Sequence, residues 1–229
     1  MATPTVENYL KAMLALSRDN DAVTVSELSA ELGVSKPSTN SMIKRLHERG
    51  LLEYERYRPL RLTEAGRREA ALVVRKHRLT EMFLVKKMGF GWEEVHPIAE
   101  QIEHIDSPAF FERMDELLGA PDFDPHGSPI PDRHGNLVED SSRERLSECG
   151  THDVVALCGL EQSSPEFLRY LDAKGLQIDT VISVDRVDPC DRSLELSYGG
   201  RKSVLPESIA QQMLVVKLPH APSSDSATK

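Results

Sequence analysis

The chain has 229 residues, of which 39% are hydrophobic, enough for one sizeable core in a single large domain or in two to three small ones. No apolar run approaches the length of a membrane span, and the opening MATPTVENYLKAM lacks the basic-then-apolar order of a secretory signal, so a soluble cytoplasmic protein without a membrane partner is expected. The cysteines Cys149, Cys158 and Cys190 are odd in number and never fall in a C-x-x-C spacing, which argues against a disulfide framework and against a thiolate zinc site. A formal charge of -9 ordinarily speaks against nucleic acid, but the charge is uneven. From Ser35 to Arg78 there are 12 Lys/Arg against 5 Asp/Glu, while the rest of the chain has 16 against 32. One basic segment is set in acidic surroundings.

In chain order, VENYLKAMLALS places Val6, Leu10, Met13, Leu14 and Leu16 at helical spacing, predicting a first helix over residues 4–18. TVSELSAELGVS gives Thr24 as N-cap, Glu27 three residues later as a capping box, and Gly33 as a stop. A third helix follows in KPSTNSMIKRLHERG, with Pro37 in its first turn, Met42, Ile43 and Leu46 facing inward, and Gly50 closing it. Helix, glycine turn, helix is the helix-turn-helix order. LLEYERYRPLRLTEAG then reads as a short hairpin with basic residues at its tip, which makes the segment a winged helix-turn-helix. In that arrangement small polar residues read base edges and basic ones hold phosphates. Pro37, Ser38, Thr39, Asn40 and Ser41 form the polar set, Lys36, Lys44, Arg56 and Arg58 are the phosphate candidates, and Ser35 is counted with them as DNA-binding. Double-stranded operator DNA is the expected partner, and no small organic substrate is indicated.

TEAGRREAALVVRKHRLTEMFLVKKMG predicts a long helix from the Thr63 cap to Gly89, with His77 and Glu81 at i and i+4. HPIAEQIEH next places His96, Glu100, Glu103 and His104 on one helical stripe, where an amphipathic helix would bury apolar side chains. Such a stripe is either wet or binds a cation. His77, Glu81 and His96 make one two-imidazole, one-carboxylate set, and Glu100, Glu103 and His104 a second. Nitrogen and oxygen donors without thiolate suit Mn(II), Fe(II), Co(II) or Zn(II). A surface from Ile98, Ile102, Ile105, Phe110, Phe111, Met114 and Leu117 is available to join two copies, and two half-sites on DNA call for a homodimer.

Beyond Gly119, APDFDPHGSPIPDRHGNLVEDSS has the composition of a linker. From Leu146 to Leu218 the runs HDVVALCGL, DTVISVDRVD and LELSYGG are strand-like and SPEFLRYLDAKG is a short helix, a small β-rich module. The tail PHAPSSDSATK has the composition of disorder.

The separated pieces RKHRLTEMFL, VHPIAEQIEHIDS and DPHGSPIP, in this order, resemble the diphtheria toxin repressor family of metal-dependent transcriptional repressors, including its manganese-sensing branch. The resemblance runs from VENYL to about Leu218. It implies a mainly α fold with a small β domain: a winged helix-turn-helix over residues 1–72, a helical dimerisation and metal domain over 73–145, an SH3-like β-barrel over 146–219 and a disordered tail over 220–229. It implies that His77, Glu81 and His96 are ancillary metal ligands, that Glu103 and His104 belong to the activating site, and that Glu166, at the opening of the short helix, lends a ligand to the ancillary metal. Glu100 stands where the iron-sensing branch has Cys and the manganese-sensing branch Glu, and a hard carboxylate there favours Mn(II). Asn8 takes the position that is Met in the iron branch and Asp in the manganese branch, so the sequence departs from both. Lys11 sits where the short manganese sensors carry Glu. The expected protein is a Mn(II)-activated repressor of metal-uptake genes, with the same fold sensing Fe(II) as the first alternative. A metal-independent winged-helix regulator is another. A metalloenzyme is disfavoured, since the chain has no H-E-x-x-H, no H-x-x-E-H and no paired E-x-x-H motif.

Overall fold

The computed structural model describes residues 3–17, 22–56, 58–136 and 142–219, in two compact units. The predicted tail over 220–229 and Tyr57 of the hairpin lie outside the described residues. The first unit comprises residues up to Phe90 together with Val95–Asp124 and Pro129–Val138.

Helix α1, Pro4–Leu16, begins where Thr3 Oγ1 accepts from the Val6 amide, and it buries Val6, Tyr9, Leu10 and Met13 at three- and four-residue spacing. Helix α2, Val25–Glu31, carries the predicted capping box: Thr24 Oγ1 accepts from the Glu27 amide and the Glu27 carboxylate accepts from the Thr24 amide. Gly33, at φ 62°, turns the chain into α3, Lys36–Glu48, which is capped by Ser35. The hairpin strands β1, Leu52–Glu53, and β2, Arg61–Leu62, pair antiparallel with Leu52 opposite Leu62. Leu10, Met13, Leu28, Ile43, Leu46 and Leu60 close a common core beneath them.

Helix α4, Glu64–Phe83, starts at the Thr63 cap. Gly66 lies so close to the Leu51 carbonyl that a Cβ there would stand 1.9 Å from its oxygen, so the winged core admits only glycine at this point. The predicted single helix to Gly89 is interrupted, because Leu84–Met88 winds as a π-turn before Gly89 takes φ 75°. Helices α5, His96–Ile102, and α6, Pro108–Leu118, pack against α4. Leu79, Phe111, Met114 and Ile130 form their shared core. Phe111 and Met114 therefore face inward and leave the surface expected to join two copies, on which Ile105, Phe110 and Leu117 remain exposed.

The segment with linker composition is ordered over 120–136. Arg75 donates to the Pro131 carbonyl (2.7 Å), Arg78 donates to the Pro129 carbonyl, and Phe123 bridges Pro129. The guanidinium groups of α4 satisfy carbonyls that proline-rich chain cannot pair within itself.

The second unit joins the short segments Gly91–Glu94 and Pro125–Ser128 to the chain from Glu139 onward. Its strands are β3 (Glu144–Arg145), β4 (Val154–Leu160), β5 (Val181–Val187), β6 (Leu194–Tyr198), β7 (Arg201–Leu205) and β8 (Met213–Lys217). They form one antiparallel sheet in the order β3-β8-β4-β5-β6-β7, and helix α7, Pro165–Lys174, connects β4 to β5. Val155, Leu157, Leu168, Leu171, Ile182, Val184, Leu196 and Val215 make the core, and Trp92 packs against it while donating to Asp172 (2.9 Å). All three cysteines are free thiols, and burial pushes that of Cys149 up to about 12.

Candidate metal centre and nucleic-acid interface

Three helices bring the polar cluster together. His77 and Glu81 project from successive turns of α4, and His96 and Glu100 from successive turns of α5. Helix α5 ends at Ile102, so Glu103 is its C-cap and His104 lies in the following turn. The predicted stripe is thus carried by a helix for its first half and by a turn for its second. This shorter helix lets Glu103 reach inward, where it is completely buried.

The two metal-ligand sets read from the sequence are joined. His77 Nδ1 donates to Glu103 Oε2 (2.5 Å), and its Nε2 lies 3.0 Å from both Glu81 Oε1 and His96 Nδ1. His96 Nε2 is 3.6 Å from Glu100 Oε1, and His104 Nε2 is 3.7 Å from Glu103 Oε1. Donor atoms of His77, His96 and Glu100 all lie within 4.8 Å of one another. Burial opposes charge on His77, but the hydrogen bonds to Glu103 and Glu81 outweigh it, and the imidazole is pushed up to about 9. Glu103 likewise pays for burial, yet His77 and Lys11 hold it below the usual carboxylate range.

Two participants had no signal in helical spacing. Glu7 Oε2 accepts from His104 Nδ1 (2.6 Å), and its other oxygen accepts from Lys76 Nζ (3.2 Å). Lys11 Nζ donates to Glu100 and to Glu103, each at 2.7 Å. Both come from α1, so the first helix of the winged segment is tied to the α5 end of the cluster. Asn8 lies between them on that helix, and its Oδ1 is buried without a hydrogen-bond partner. A carbonyl oxygen desolvated in this way is a ready ligand for a hard cation. The donors therefore fit a divalent ion, although in this arrangement their charge is balanced by an ammonium and an imidazolium.

Glu166 lies in the second unit, on the first turn of α7, where its side chain is exposed and 4.0 Å from Arg169.

The basic face is built on α3 and the hairpin. Ser35 at the cap and Lys36, Pro37, Ser38, Asn40, Ser41 and Lys44 on α3 are exposed. Thr39 is an exception to the predicted polar set: it is fully buried and its hydroxyl donates to the Ser35 carbonyl (3.1 Å), because its position in the first turns falls on the core side with Ile43 and Leu46. Arg56 and Arg58 are exposed at the hairpin, the latter 3.1 Å from Glu55. Exposed pairs of this kind hold a side chain weakly.

Comparison with known proteins agrees with this anatomy. Residues 1–60 match the N-terminal DNA binding domain of iron dependent repressors, residues 63–132 their metal binding and dimerisation domain, and residues 144–217 the FeoA domain, an SH3-like β module. The diphtheria toxin repressor of Corynebacterium glutamicum is 32% identical over 224 residues, covering 93% of this chain and 96% of that protein. The iron-dependent repressor IdeR of Mycobacterium tuberculosis is 37% identical over 163 residues, 67% of this chain and 69% of its own. Among solved structures, a manganese-dependent transcriptional repressor in complex with manganese is 32% identical, covers 93% of this chain and 100% of its own, and superposes with a TM-score of 0.81. The repressor ScaR with bound Zn2+ is 33% identical over 93% of this chain and 99% of its own, with a TM-score of 0.74. Fold and site together define a winged-helix transcriptional regulator with a metal-binding, dimerising helical domain. The chain belongs to the diphtheria toxin repressor family of metal-dependent transcriptional repressors.

Proposed function

We propose that this protein is a cytoplasmic, homodimeric repressor activated by Mn(II), acting on operators of metal-uptake genes and carrying no enzymatic activity. The observation that supports it most is the gathering of His77, Glu81, His96, Glu100, Glu103 and His104, all nitrogen and oxygen donors, against a helix of the DNA-binding segment. The carboxylate of Glu100 and the amide oxygen of Asn8 are hard ligands, which favours Mn(II) over softer ions. The manganese complex among its structural relatives points the same way, while the iron-dependent names of other relatives keep Fe(II) as the second reading.

In this reading Asn8, Glu100, Glu103 and His104 hold the activating ion, and His77, Glu81 and His96 an ancillary one. The bound ion supplies divalent positive charge between a helix of the winged segment and the α5 turn. Asn8 then fixes α1, the packing of α1 against α4 fixes the winged segment, and α3 of each protomer is held at the spacing of successive major grooves. Ser35, Pro37, Ser38, Asn40 and Ser41 meet the groove, and Lys36, Lys44, Arg56 and Arg58 the phosphates. The division at residues 72 and 145 into three functional domains is part of the same reading. Chelator-treated protein should regain binding to DNA selected from a random pool at buffered free Mn(II), and Fe(II) should restore less at equal free concentration. Equal binding with no metal present would remove the basis for the reading.

A further inference from the structure

The activating site already contains a cation. Lys11 Nζ stands 2.7 Å from an oxygen of Glu100 and 2.7 Å from an oxygen of Glu103, the two carboxylates assigned above to the metal. Glu103 is fully buried, whereas the Lys11 side chain is 21% exposed. The ammonium therefore reaches the site along a partly open path, while the carboxylate it neutralises has no access to water.

We propose that Lys11 is a resident counter-ion of the activating site: it occupies Glu100 and Glu103 in the metal-free protein, is expelled toward solvent when a divalent ion binds, and so sets the metal concentration at which the protein responds. This rests on the metal reading given above. The physical argument is a competition for the same oxygens. An ammonium with three donors satisfies Glu100 and Glu103 at once, and a divalent ion must offset the loss of both contacts before it gains its own. A positive charge left within a few ångströms would also repel the incoming ion, so the side chain has to move as well as let go. Its partly exposed, flexible stem permits that movement where a buried arginine would resist it. Lys11 also pairs across the same junction that the ion would join, so it keeps the carboxylates close to α1 without contributing to their affinity for metal.

The test is Mn(II) binding to the full chain, read from the electron paramagnetic resonance signal of the free ion, for wild type, Lys11→Leu, Lys11→Arg and Glu103→Ala. Lys11→Leu, which cannot ligate, should bind Mn(II) about ten-fold more tightly than wild type, the change expected from removing one nearby unit charge. Lys11→Arg keeps the charge and should remain within a few-fold of wild type. Unchanged or weaker binding by a folded Lys11→Leu, or equal tightening by Lys11→Arg, overturns the proposal. A second readout uses wild type alone: acetylation of Lys11 by an amine-reactive reagent, quantified by mass spectrometry, should rise at Mn(II) saturation as the ammonium leaves its carboxylates. Unchanged labelling overturns the proposal even if Lys11→Leu fails to fold. If neither wild type nor Lys11→Leu binds Mn(II), or Glu103→Ala binds as well as wild type, the metal reading fails first and this proposal falls with it.

Discussion

The cluster has an inner and an outer half that obey different physics. Glu81 and Glu103 are almost without solvent contact, at 3% and 0%, while His96 and Glu100 are 59% and 41% exposed. Inside, each charge needs a partner of opposite sign, and His77 and Lys11 provide it. Outside, water screens the same residue types, and their pairings are worth little to the fold. The difference separates two tasks: the inner half carries the stability of the metal-free protein, and the outer half is where an ion can exchange its water for side chains.

The largest effect expected from this comparison is a stability contrast. Glu103→Ala leaves Lys11 and His77 without their shared acceptor and should cost ~3 kcal/mol in metal-free protein, whereas Glu100→Ala should cost under about 1 kcal/mol. Denaturant unfolding in chelator measures both, and similar losses for the two would erase the distinction between the halves.

The second effect concerns pH. The imidazole of His77 is raised from 6.5 to about 9, so the stabilisation from its charged form is complete below pH 6.5 and disappears as pH rises to 9. Metal-free protein should lose roughly 2–3 kcal/mol across that window, and His77→Gln should flatten the profile. Glu103, held low, acts in the opposite direction and in a separate range, withdrawing stability only in acid below the ordinary carboxylate pKa. A wild-type profile flat between pH 6.5 and 9 would show that the inner half is not charged as described.

A smaller effect belongs to the boundary between the halves. Asn8→Asp adds a carboxylate beside a site for a hard cation and should tighten Mn(II) activation by about 1–2 kcal/mol, measured as a shift in the free Mn(II) needed for half-maximal DNA binding. Smallest are the surface contacts with DNA. Lys44→Ala and Arg58→Ala should each weaken binding to all sequences and reduce the salt slope by about one, while Asn40→Ala should alter sequence preference instead. A changed base preference with an unchanged salt slope for Arg58→Ala would reassign the hairpin's role.

Much of the winged segment was legible because its signals are local. Thr24 and Glu27, Gly33, Ser35 and Pro37 act within a few residues of themselves, and the structure puts each where its chemistry directs. His77, Glu81, His96 and Glu100 were legible for the same reason, as helical i and i+4 pairs. The joining of the two ligand sets was not, since the contact of His77 with Glu103 depends on how α4 and α5 meet and on α5 stopping at Ile102. Glu7 and Lys11 pair with residues some ninety positions away, and nothing in the periodicity of α1 announces them. Thr39, Phe111 and Met114 were misplaced by composition: a polar residue in a polar run turned inward, and two apolar residues assigned to the surface filled the core. The short strand β7, RKSVL, lacks clear alternation and is defined by its pairing with β6.

The most direct test of the central claim, that the His and Glu cluster converts metal into DNA binding, is a Mn(II) titration of chelator-treated protein on a selected operator, comparing wild type with His104→Ala and Glu103→Ala at matched fractions folded. The account predicts that wild type passes from weak, salt-sensitive binding to tight, sequence-specific binding as free Mn(II) rises, while both variants keep only the weak mode at every concentration. Metal-stimulated, sequence-specific binding that survives in both variants would contradict it.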